Sequence, residues 1–193
     1  MSTNDWQFER LLEEVLPVLH LHFVRQGVKA SMYCSQWFLT MFSYRCADFG
    51  SPPSHEQPLT PRGRFPMDLV FRIYDNCLAS GIEAMFTFSI ALLHKNEAML
   101  LSLKFDQLVA FLNQRIFDVY QIMPPASPGS QAAPAEARYR VDEFVQDAMG
   151  LRITPFMLDN YAHEYEELVR ARDAHKLEME NMKNTNQRLA AQV

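Results

Sequence analysis

Apolar positions along this chain recur at steps of three and four residues, which is the period of helices with one buried face. In the first such stretch Phe8, Leu12, Val15, Leu16, Leu19 and Phe23 share a face, and Asn4 or Asp5 can cap its start. Pro17 lacks an amide hydrogen and crowds the preceding turn, so it kinks this helix or divides it, the second piece starting at Pro17. Gly27 ends it, with Arg25 near the negative end of the helix dipole. Ser35 to Phe42 is apolar on almost every side through Trp37, Phe38, Leu39, Met41 and Phe42. A helix of that kind belongs inside a fold, so the pattern predicts a central core helix from just after Ser31, which caps it, to about Tyr44.

Pro66 at a first helical position and Gly81 just past the end bracket a third helix, with Met67, Val70, Phe71, Tyr74 and Leu78 as its apolar face and Asp68 and Arg72 as a solvated pair four residues apart. A fourth, Ile82 to about Lys95, is apolar around most of its circumference and is predicted to be the second buried element. A short turn follows from Asn96. Asp106 then caps a fifth helix through about Tyr120 that buries Leu108, Val109, Leu112, Ile116 and Val119. Val141, Phe144, Val145, Ala148 and Met149 form another stripe ending at Gly150, and Thr154 with Pro155 opens a long last helix. Its Leu158, Tyr161, Tyr165, Leu168, Arg172, His175, Met179, Met182, Asn186 and Leu189 follow the register of a coiled-coil seam, diluted by Arg172, His175 and Asn186. The first part, to about Leu168, is expected to dock on the domain, and the rest to be a weak coiled coil or a solvated single helix.

Two segments break the periodicity. Cys46 to Arg64 is punctuated by Pro52, Pro53, Pro58, Pro61, Gly50 and Gly63, and Met123 to Ala137 by Pro124, Pro125, Pro128, Pro134 and Gly129. The expected fold class is therefore all-α: a helical subdomain plus a long C-terminal helix. Residues 1–122 form the helical unit with an irregular insert at 46–64, residues 123–138 a flexible linker, and residues 139–193 the terminal helices, the last of them the start of a coiled coil.

Composition narrows the function. A 48% apolar content over 193 residues is that of a globular domain, and a net charge of −5 without any basic stripe argues against a nucleic-acid partner. The longest strongly apolar run, Ala84 to Leu93, is too short for a bilayer, and Asp5 and Glu9 stand where a signal peptide would be basic, so a cytoplasmic protein that is not transmembrane is expected. Cys34, Cys46 and Cys77 are far apart and odd in number, as suits reduced thiols. Glycine-rich phosphate loops, nucleophile elbows and paired metal motifs are missing, and His20 and His22 lie on opposing sides of a helix. Cys34 reads as an inert core thiol, and no cofactor or metal is expected.

Three stretches carry a resemblance: Trp37-Phe38-Leu39-Thr40-Met41-Phe42-Ser43-Tyr44-Arg45, then Phe65-Pro66-Met67-Asp68-Leu69-Val70-Phe71-Arg72-Ile73-Tyr74-Asp75, then Gly81-Ile82-Glu83-Ala84-Met85-Phe86. With Leu16 to His20 before them and Leu100 to Leu103 after, their order over residues 8 to about 120 resembles the second half of the TBC domain, the domain of Rab GTPase-activating proteins. Among its members the chain is most similar to fungal ones that act in secretory traffic and carry a coiled coil after the domain. The resemblance implies a Rab-type small GTPase as partner through the complete domain, a coiled-coil partner for the tail, and a peripheral place on Golgi or secretory vesicle membranes.

The family's chemistry depends on an arginine in an Ile-x-x-Asp-x-x-Arg motif and a glutamine in a Tyr-x-Gln motif, both in the first half of the domain. Neither motif occurs here, and the look-alike Tyr33-Cys34-Ser35-Gln36 has one residue too many. No catalytic residue is assigned. Trp37, Phe38, Arg72 and Asp75 match recurrent family positions and are read as structural. Residues 46–64 interrupt the family pattern with sharp edges, as a surface loop or, as the edges favour, a translated intron. The expectation is a C-terminal half-domain beginning in mid-domain, parted from its catalytic half by a gene-model error, truncation or gene splitting. Its rival is an autonomous α-helical scaffold or coiled-coil interaction module with no GTPase role.

Overall fold

The computed structural model describes residues 2–42, 65–122 and 138–190. The 46–64 insert and all of the 123–138 linker except Arg138 lie outside the described residues.

Helices α1 (Thr3–Val15) and α2 (Pro17–Gln26) are the two pieces that Pro17 separates. Between them Leu16 leaves helical geometry at φ −130°, and Pro17 supplies the first turn of α2, where a missing amide hydrogen costs nothing. The cap of α1 is Ser2 rather than Asn4 or Asp5. Ser2 Oγ accepts from the Asp5 amide at 3.2 Å and Asp5 Oδ2 accepts from the Ser2 amide at 3.0 Å, so the aspartate acts from the third position of a reciprocal box. Gly27 ends α2 at φ 75°, a left-handed conformation that costs glycine little, and the Val28 amide returns to the Phe23 carbonyl.

The predicted central helix is shorter than its apolar run. A 3-10 turn, Ala30–Met32, contains Ser31, which caps nothing, and α3 covers only Cys34–Thr40. Met41 at φ 45° and Phe42 at φ 61° then turn the chain left-handed, a strained choice for residues with a Cβ. That turn folds Phe42 back to stack on Trp37, with ring centroids 5.2 Å apart. The run is thus shared between a helix and a turn, and Leu39 is 84% exposed.

The central element is instead α5 (Glu83–Lys95), which follows α4 (Met67–Ser80). Ala84, Met85, Phe86, Phe88 and Ile90 to Leu93 are buried, together with Ser89, whose hydroxyl donates to the Met85 carbonyl at 2.7 Å. The turn expected at Asn96 is a cap for a further short helix, α6 (Glu97–Ser102), and the Asn96 amide donates to the Leu92 and Ile116 carbonyls. Helix α7 (Phe105–Gln114) begins without the expected Asp106 cap and stops early. Its chain continues through Ile116 and Phe117, both buried, into a 3-10 turn, Asp118–Tyr120, that buries Tyr120.

Two-residue strands β1 (Gln121–Ile122) and β2 (Arg138–Tyr139) then pair antiparallel, an element that periodicity did not predict because two residues show no period. Helix α8 (Val141–Met149) lies on α4 and α5, and its Phe144 closes a chain of rings with Phe88, Phe117 and Tyr120. Last comes α9 (Pro155–Ala190), whose Met157 amide is capped by Thr154 Oγ1. Leu158 and Tyr161 are buried against α1, the Gln7 amide donates to the Leu158 carbonyl at 2.8 Å, and Trp6 and Tyr165 are 5.9 Å apart. From Ala171 to Arg188 every residue is exposed. The start of α9 therefore docks as expected. Among the described residues no helix is long and apolar enough to cross a membrane.

The face of α4 differs from its prediction. Leu69, Val70 and Ile73 are buried, whereas Phe71 and Leu78 are 57% and 87% exposed. Apolar residues occupy more than half of this helix's circumference, so its period leaves overlapping stripes, and contact with α5 and α8 selects between them.

Candidate functional site

The four sequence-matched positions separate into two places. Trp37 is fully buried on α3, with Tyr33 edge-on at 5.1 Å, and among the described residues its indole nitrogen has no hydrogen-bond partner. Phe38 sits between Phe8 at 5.8 Å and Phe86 at 4.8 Å, fastening α3 to α1 and α5. Arg72 and Asp75 are on the surface of α4, their side chains 53% and 65% exposed, and they pair with each other at 3.7 Å. The expected partner Asp68 is not used. The fold does not gather these four residues into one site.

What α4 does offer is an open groove of about 780 Å³ between its outer face, the β1–β2 hairpin and the start of α8. Phe71 and Ile122 give it apolar surface, and two guanidinium groups on its walls are satisfied locally, Arg72 by Asp75 and Arg140 by Glu143 at 2.7 Å. The hairpin is what completes this groove, and its strands are too short to leave a sequence signal.

Beside the groove α8 is held by a charged network. Lys95, in the last turn of α5, reaches Glu143 and Asp147 at 2.9 Å each, and the Tyr120 hydroxyl donates to Asp147 at 2.8 Å. Burial pushes the Tyr120 hydroxyl far above its usual range, and the Asp147 hydrogen bond adds to this. Hydrogen bonds to Glu143 and Asp147 raise Lys95. Burial works to raise Asp147, but the bonds from Lys95 and Tyr120 outweigh it and leave the carboxyl below its ordinary 3.8. A depressed carboxyl stabilises the fold fully above its unfolded value and loses that contribution as pH falls through the folded one. Asp5, lowered by bonds from Ser35 and Ser2 against its burial, acts in the same direction. Melting temperature should therefore hold from neutral pH down to about the ordinary carboxylate value and then drop, with a smaller acid-side drop in Asp147→Asn. A calorimetric pH series checks this, and an identical drop in the variant would contradict it.

Cys34 is buried, its sulfur 3.8 Å from Asp5, and burial beside that carboxylate pushes the thiol far up, away from nucleophilic chemistry. His22 Nε2 lies 3.1 Å from the Leu103 carbonyl, and among the described residues no three metal-ligating side chains cluster.

The family model for the RabGAP TBC domain matches residues 1–47 and 62–168. This chain belongs to that family. The match breaks at 48–61, inside the segment read as an insert, and continues past α8 into the part of α9 that lies on α1. The GTPase-activating protein GYP5 of Saccharomyces cerevisiae is 35% identical over 84% of this chain and 18% of its own length. GYP5 of Eremothecium gossypii is 32% identical over 97% of this chain and 23% of its own length. The Schizosaccharomyces pombe GTPase activating protein Gyp51 is 31% identical over 95% and 15% respectively. The chain thus spans less than a quarter of the length of these relatives.

Proposed function

We propose that this chain is the accessory helical part of a Rab GTPase-activating domain: it helps to hold a Rab-type GTPase and supplies neither catalytic finger. What carries the reading is its 35% identity to a GTPase-activating protein over 84% of the chain, together with a sequence in which neither finger motif occurs. Trp37 and Phe38 serve the core, and the Arg72–Asp75 pair orders the surface of α4. The protein works in vesicle traffic from the cytoplasmic side of Golgi or secretory membranes. Residues 46–64 are an addition to the family pattern, residues 123–138 a linker, and the exposed end of α9, with Met179 and Met182 on its seam, takes a coiled-coil partner.

The test is binding of the 193-residue chain to a panel of Rab GTPases loaded with a non-hydrolysable GTP analogue. Saturable binding to at least one of them, weaker in the GDP form, is expected. Equal or absent binding in both nucleotide states across the panel would contradict the reading.

A further inference from the structure

We propose that the groove between α4, the hairpin and the start of α8 is a contact surface for the GTPase, and that it takes an apolar side chain flanked by basic residues. This rests on the function proposed above. Phe71 and Ile122 are 57% and 45% exposed, and neither is needed to hold its element: α4 buries Leu69, Val70 and Ile73 on another face, and β1 is held by its pairing with β2. Large apolar side chains exposed in one concavity are what a docking partner covers.

Charge says what kind of partner. Among the described residues, Arg72 and Arg140 are already engaged by Asp75 and Glu143, while Asp68 and Asp142 make no ion pair. Asp68 and Asp142 stand in the first turns of α4 and α8. The groove is therefore lined by the apolar Phe71 and Ile122 together with two carboxylates that make no ion pair among the described residues. A phosphate, a nucleotide or an anionic lipid headgroup would be repelled. A protein surface with an aliphatic or aromatic side chain beside Lys or Arg matches both features.

The experiment takes the Rab GTPase that binds the parent chain most tightly and measures affinity for Phe71→Ala and for the double variant Asp68→Lys, Asp142→Lys, with circular dichroism to establish that each is folded. Affinity should fall about tenfold or more in each, mainly through slower association in the charge variant, as expected for an apolar anchor and for flanking charges respectively. Leu78→Ala, on α4 outside the groove, should bind like the parent. If the double variant fails to fold, Asp68→Asn with Asp142→Asn removes the charges alone and should flatten the dependence of binding on salt. Folded groove variants that bind within twofold of the parent would overturn this assignment and leave the proposed function standing. A parent chain that binds no Rab GTPase would remove both.

Discussion

Truncating Trp37 to alanine is expected to destabilise the fold by about 3–5 kcal/mol, the range for emptying the place of a large buried aromatic. The ring is fully buried, stacks on Phe42 at 5.2 Å and meets Tyr33 at 5.1 Å, so its removal leaves a cavity at the junction of α3 with the turn that follows. Domains of this size are stable by about 5–15 kcal/mol, so a single change would consume a large share of the margin. Trp37→Phe should cost far less, because the indole nitrogen has no hydrogen-bond partner among the described residues to lose. Urea unfolding followed by circular dichroism measures both. An unchanged midpoint in Trp37→Ala would mean that this family position serves a surface and not the core.

How much of this was legible in the sequence depended on how local its cause is. Pro17 and Gly27 act through their own backbones, and both delimit helices where the chain places them. Helix α5 announces itself because it is apolar all round, and the docking of α9 follows from Leu158 and Tyr161 at helical spacing. The run from Trp37 to Phe42 misled because a helix and a left-handed turn can both bury aromatic rings, and only the tertiary stacking of Phe42 on Trp37 decides between them. Helix α4 misled for a related reason, with Phe71 offered to solvent while Leu69 is buried. The groove was not legible at all. It joins residues of α4 to a pair of strands whose partners Ile122 and Arg138 are far apart in the chain, and no local pattern places Ile122 in one groove with Phe71.

The largest expected effect concerns turnover. An arginine finger is worth about 10³–10⁵ in the rate of GTP hydrolysis, roughly 4–7 kcal/mol of transition-state stabilisation. The exposed arginines of this chain are not in the family's finger motif, and Arg10, Arg72, Arg115 and Arg140 are each held by a carboxylate three residues along the chain. Contacts made equally in the ground and transition states leave the chemical barrier unchanged, so holding a GTPase does not by itself speed hydrolysis. Asp68, Phe71 and Asp142 can tighten a complex without contributing to its rate.

A single-turnover hydrolysis assay, with the 193-residue chain in excess over each GTP-loaded Rab GTPase of a panel, tests this account most directly. Turnover within about threefold of the intrinsic rate is predicted for every member of the panel, since neither finger motif of the family occurs in this sequence. A hundredfold acceleration by the chain alone would contradict it, because a catalytic arginine would then have to lie within these 193 residues.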